Sequence, residues 1–210
     1  MGATTDNDKV VRIGGATASL ADSALSVPQL LSGGNLDYLV FDYLAEGSMG
    51  IFGRMQAADP DAGFAGYFLT MHVGPHLEDI AAHGVKVVAN AGGVNPAGLA
   101  AALETLIAEK GLDLKVAYVA GDDLRGRASE LRDAGHRDMF IDTPFPDNIV
   151  SANAYLGAFP IAAALAKGAD IIVTGRVVDS AVTLGPLIHE FGWGQDDLDL
   201  LSAGTLAGHL

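Results

Sequence analysis

Carboxylates and one arginine fall where apolar runs end. Asp42 closes "DYLVFD", and Glu46 follows it by four residues. Asp122 and Asp123 follow "KVAYVAG", while Arg176 and Asp179 follow "IIVTG". Two carboxylates brought together can divide acid–base work, one accepting a proton while the other donates. An arginine fork matches a carboxylate, or the charge that develops on an enolate. Asp42, Glu46, Asp122 and Asp179 are therefore the candidate acid–base residues, and Arg176 is the candidate anion clamp. Plainer roles stand beside these. Asp179 has the position of a helix cap, Arg176 and Asp179 could form an ion pair, and one of Asp122 and Asp123 could cap a helix. Asp42 ends the second apolar run, where a ribose-binding acid sits in a dinucleotide fold.

A second set of residues would hold a ligand rather than react with it. Gly14 and Gly15, Asn90, Gly92, Gly93 and Asn95, Asp123, Asn153, and Thr174 with Gly175 all follow apolar runs. The "NAGGVNP" turn places two glycines before a capped helix start, where backbone N–H groups can meet a phosphate or carboxylate.

Several chemistries lack their residues. The chain has no cysteine, which removes thiolate catalysis, disulfides and Cys-ligated zinc. "GGATAS" is not a GxGxxG fingerprint, and neither a P-loop nor a GxSxG elbow is present. His72 and His76 have helical spacing but no HExxH pattern, so no metal ligand set is assigned and the cofactor is unknown. The net charge of -14 argues against nucleic acid and anionic membranes as partners. A small-molecule carboxylate or acyl-CoA remains as substrate, with a second copy or a partner subunit as a conceivable associate.

These residues need a scaffold that gathers loop ends. Short Val/Ile runs alternate with Ala/Leu-rich helical patterns. The expected strands are 9–14, 37–42, 85–90, 115–120, 138–142 and 170–175. Their continuous apolar character predicts strands covered on both faces, as in a parallel sheet. Helices are expected in "NPAGLAAALETLIAEKG", capped by Asn95, in 151–168 with a bend at Pro160, in 77–84, and in 179–192 with Asp179 as cap and a kink or break at Pro186. "EGSMGIFGRMQAADPDAGFAGYF" reads as a long loop with a broken helix, or as a lid. The fold class is α/β: a mostly parallel sheet flanked by helices, doubly wound and Rossmann-like in three layers, or alternatively an incomplete α/β barrel. Ligands bind such sheets beyond the carboxyl ends of the strands.

At 210 residues, half of them hydrophobic, the chain can bury a substantial core as a single α/β domain, 1–210. Aromatics are only 7%, so that core must be aliphatic. The N-terminal "MGATTDNDKVVR" lacks an apolar signal core, and Asp6 breaks the myristoylation pattern. No apolar run is long enough to span a bilayer, so a cytoplasmic protein is expected.

Five stretches together resemble the acyclic terpene utilisation family, AtuA. They are "DYLVFDYLAE", "KVVANAGGVNP", "GDDL", "NAYLGAFPIAAALAKGADIIVTGRVVDSAVTLGPLIHEFGW" and "DDLDLLSAGTLAGHL". The likeness runs from about Arg12 to Leu210. It implies a cytoplasmic protein of bacterial or fungal type, linked to breakdown of branched, terpenoid-derived acids as their CoA esters. It also implies that 1–210 is the N-terminal part of a longer protein. It supplies no residue roles. The expected function is an enzyme or enzyme subunit with hydratase- or lyase-type acid–base chemistry. Alternatives are a nucleotide-binding, oxidoreductase-like domain resting on Asp42, and a non-catalytic scaffold subunit.

Overall fold

The structure, a computed structural model, describes residues 9–210. Most of the stretch read for a leader or lipid signal, 1–8, lies outside the described residues.

Five strands form one sheet: β1 (Ile13–Thr17), β2 (Tyr38–Phe41), β3 (Lys86–Ala89), β4 (Val116–Val119) and β5 (Ile171–Thr174). All pairings are parallel and the spatial order is β1-β2-β3-β5-β4. The order explains the layering. Strands β1, β2 and β3 advance in one direction, and right-handed crossovers then put their helices on one face. That face carries α1 (Ser26–Gly33), α2 (Glu46–Ala58), α3 (Leu77–His83) and α4 (Pro96–Glu109). After β4 the chain passes through the short α5 (Ala128–Asp133). It then steps back to fill the slot between β3 and β4, so α6 (Phe159–Ala166) lies on the opposite face, followed by α7 (Ala181–Phe191) and α8 (Leu198–His209).

Alternation along the strands supplies both cores. Leu39, Phe41, Val87, Ala89, Ile171 and Val173 pack against Phe52, Leu77, Ile80, Leu99 and Leu103 on the first face. Tyr38, Val40, Val88 and Ile172 pack against Ile161, Leu165, Val182 and Ile188 on the second. Helices on both faces make the sheet doubly wound.

Several sequence expectations change. The first strand is Ile13–Thr17 rather than 9–14, so Gly14 and Gly15 lie within it, not after it. The run at 138–142 is a turn, not a strand. Asp138 Oδ1 accepts from the backbone of Phe140 at 2.8 Å and Ile141 at 2.9 Å, which closes the turn. Asp142 then takes a left-handed φ of 53°. Met139, Phe140 and Ile141 are left in solvent. The helix expected over 151–168 begins only at Phe159. Pro160 starts it rather than bending it, consistent with its missing N–H. Residues 153–157 run extended instead, bridged to Asp123 and Val177. α7 continues through Pro186 as one helix. The Gly- and Met-rich segment is α2 plus a π-turn at Phe68–His72, with Met49, Phe52, Ala65 and Phe68 built into the core. Those four side chains anchor the segment on the first face of the sheet. The Asn95 cap and the helix at 77–83 are as expected: Asn95 Oδ1 accepts from Gly98 N at 3.0 Å.

Candidate functional site

The loops after β2 and β5 meet around Arg176. Its side chain is 4% exposed, and its fork is occupied by acceptors of the chain itself. Nη1 donates to Leu44 O at 2.7 Å and to Asp179 Oδ1 at 2.8 Å, and Nη2 reaches Glu46 Oε1 at 3.4 Å. The guanidinium lies 4.2 Å from the Tyr155 ring centroid, and the Tyr155 hydroxyl donates to Glu46 Oε1. That bond, helped by Arg176, holds the exposed Glu46 carboxyl below its ordinary range. Asp179 therefore pairs with Arg176 and makes no side-chain cap on α7, the correction its position before the helix conceals.

Asp122 supports the same loop from below. It is buried, and its Oδ2 accepts from Arg176 N at 2.7 Å and from Asn153 Nδ2 at 2.8 Å. Both aspartates of the pair hold loop structure in this arrangement. Asp123 accepts from the backbone and side chain of Arg125, whose bonds outweigh the effect of burial and hold its pKa below the usual range. Gly175 is small of necessity, because a Cβ there would overlap the Asp122 carboxylate.

Asp42 has a different setting. Its Oδ1 accepts from Asn90 Nδ2 at 2.5 Å, and Asn90 Oδ1 in turn accepts from Tyr43 N at 2.6 Å. Asn90 is fully buried and fixes the carboxylate at the end of β2. Burial raises the Asp42 pKa above the ordinary carboxylate value. The Asn90 bond opposes this, the nearby charge of Asp179 adds to it, and Arg176 counters it. Asp42 and Asp179 line one end of a cleft of about 810 Å³. Helix α7 contacts β2 and β3, and a gap separates it from the second face of β1. The cleft occupies that space. Its apolar wall is Val11, Ile13, Val40, Val182 and Leu187, and the last turn of α8 closes one side. Gly15 opens on it, with no atom within 4 Å of where its Cβ would stand. Asp22 and Thr183 also line the cleft and were not singled out in the sequence. Asp22 accepts from Ala18 N and Ser19 N, which ties its carboxylate back to the loop after β1.

The remaining residues gather at the switch point. β3 sends the chain to one face and β5 to the other, which opens a crevice at their carboxyl ends. Here Gly92 N donates to Thr174 O at 2.9 Å. A Cβ on Gly92 would lie 2.6 Å from that oxygen, so the glycine permits strand-end contact. Gly93, at φ 54°, packs against Phe52. Thr174 is buried and donates to Gly175 O. A smaller hollow of about 220 Å³ lies beside Gly93, Asn95, Asp122 and Asp123. Gly14 faces Leu30 and Leu36 in the core. Thus Asp42, Asp179 and Gly15 share the large cleft, Asn90 holds Asp42, and Gly93, Asn95, Asp122 and Asp123 lie at the small hollow. Glu46, Asn153, Thr174, Gly175 and Arg176 join the loops between, and Gly14 and Gly92 are spent on packing.

His72, read in the sequence for its spacing to His76, pairs instead with a buried tyrosine. Tyr43 OH and His72 Nδ1 are 2.7 Å apart inside the first core, and burial drives the Tyr43 pKa upward. Among the described residues, no set of three or more His, Asp and Glu converges as a metal cage requires. No helix among them is long and apolar enough to cross a membrane.

Compared with known proteins, residues 11–210 match the family model described as acyclic terpene utilisation family protein AtuA. No curated protein and no solved structure matches the chain.

Proposed function

The chain belongs to the acyclic terpene utilisation family AtuA, and from that premise we propose an enzyme that moves protons on a branched acyl chain held in the cleft beside β1. One observation carries the reading. A partly buried carboxylate of raised pKa, Asp42, stands with a second carboxylate, Asp179, at the polar end of a cleft with an apolar wall. The volume is within the range of small-molecule sites, roughly 300–1,000 Å³.

Environment divides the roles. Asp42 keeps its proton to higher pH and serves as the acid. Asp179, tied to the Arg176 guanidinium, serves as the base. Two carboxylates with unlike surroundings can take the acid and the base step in one site. Arg176 then acts as a positioning residue. It orients Asp179 and, through Leu44 O, the loop that follows Asp42. Hydration, dehydration or carbon–carbon lysis beside a carbonyl all use this pair. The branched hydrocarbon would lie along Val11, Ile13, Val40 and Leu187. Three carboxylates face the cleft, Asp22, Asp42 and Asp179. They repel a free acid and admit an uncharged carbonyl, so an acyl thioester fits better than the carboxylate itself.

Gly15→Leu tests the location. The side chain has open space to enter, so folding is retained, while the cleft is filled. Calorimetric titration with a branched acyl thioester is expected to show binding to the wild type and none to the variant, with melting temperatures alike. Equal binding by both places the ligand elsewhere.

A further inference from the structure

Two unpartnered apolar features complement each other. The first is a groove of about 550 Å³ along the edge strand β4 and the adjoining side of α6. Ala117, Ala120, Pro160, Ala163 and Ala164 keep much of its wall small, with Val116, Tyr118 and Val119 beside them. A further strand or turn laid against β4 would set side chains into this space, because an edge strand presents unpaired backbone groups on that side. Lys115 and Lys167 border the groove. The other lysine ion pairs involve Lys9, Lys86 and Lys110, so neither groove lysine has a carboxylate partner among the described residues.

The second feature is the turn at 138–142. Met139 and Phe140 are each 85% exposed, and Ile141 is 72% exposed. This is not a loose tail. Asp138 caps the turn from within, Arg137 pairs with Asp142, and Arg137 and Pro144 form an antiparallel bridge. Three large apolar side chains are thus held in water by a closed hairpin, and acidic residues stand on both sides of them. Monomeric proteins seldom display such a group without a use.

We propose that the turn of one copy docks in the β4–α6 groove of a second copy, and reciprocally. Phe140 fills the alanine-lined space, while Asp138 approaches the groove lysines and Asp142 stays paired with Arg137. The apolar tip, left with one net negative charge at Asp138, and the apolar groove bordered by two lysines match in charge and in character. A twofold axis makes both contacts at once, which doubles the area contributed by two short segments. The proposal is independent of the chemistry assigned to the β1 cleft, which lies at the opposite edge of the sheet.

The test is sedimentation velocity of the full chain. The wild type is expected to be dimeric, with Phe140→Asp and Ala163→Arg each monomeric and unchanged in circular dichroism. The absence of native cysteine allows a direct check of the contact. Under mild oxidation, a mixture of the Phe140→Cys and Ala163→Cys chains should give a mixed cross-linked dimer, and neither variant alone should do so. A monomeric wild type overturns the proposal. So does a dimer indifferent to Phe140→Asp, which would point to another face or another partner.

Discussion

Replacing Arg176 by alanine should cost fold stability before it costs chemistry. The side chain is 4% exposed and makes short bonds to Leu44 O and to Asp179. Hydrogen bonds from a charged group contribute about 1.5–3 kcal/mol each. The Asp179 bond needs discounting, because that carboxylate is 46% exposed and water screens it. The stack on Tyr155 adds about 0.5–2 kcal/mol. Truncation also leaves Leu44 O without its partner. Together these give a loss of about 3–5 kcal/mol, in line with removing one member of a buried pair. For a chain of this size that corresponds to a fall in melting temperature of roughly 10 °C. Thermal unfolding followed by circular dichroism is the assay. Arg176→Lys keeps the charge but loses the fork and the flat stacking surface, so it should fall between the two. A melting temperature within about 2 °C of wild type for Arg176→Ala would refute the reasoning. It would mean that the fork is energetically idle and free for an anionic ligand, as its place after β5 first suggested.

Other outcomes follow from the same geometry. Burial raises the Asp42 pKa, so the native state holds this proton longer than the unfolded chain does. Its contribution to stability is full below the unfolded value of about 3.9 and is lost as pH rises through the native one. Asp42→Asn should therefore flatten the pH dependence of urea unfolding across that window and leave the neutral-pH protein at least as stable. Gly175→Ala would force a methyl group into the Asp122 carboxylate and should cost about 1–3 kcal/mol, read as a lower urea midpoint with an unchanged slope.

The strands β2, β3 and β5 were legible because buried parallel strands leave continuous apolar runs, and α4 because Asn95 and Pro96 announce its start. "DMFID" carries the same kind of run. Apolarity alone cannot separate a strand from a turn whose own aspartate bonds its backbone. The place of Asp42 and Asp179 after strands was legible, and the structure brings both to the large cleft. The standing of Arg176 was not legible, since its acceptor Leu44 O comes from a loop 132 positions away. Nor was the cleft itself. It lies in the gap between α7 and β1, where Gly15 has no side chain to fill it. That gap is a property of packing rather than of local pattern.

The most direct measurement is hydrogen exchange at the carbon beside the carbonyl. The full chain is incubated with a branched acyl thioester in deuterium oxide, and label uptake is followed by mass spectrometry. Proton transfer by the Asp42–Asp179 pair predicts wild-type incorporation that falls by about 100-fold or more in Asp42→Asn, as for loss of a general acid or base. Incorporation by Asp42→Asn at the wild-type rate would contradict the account.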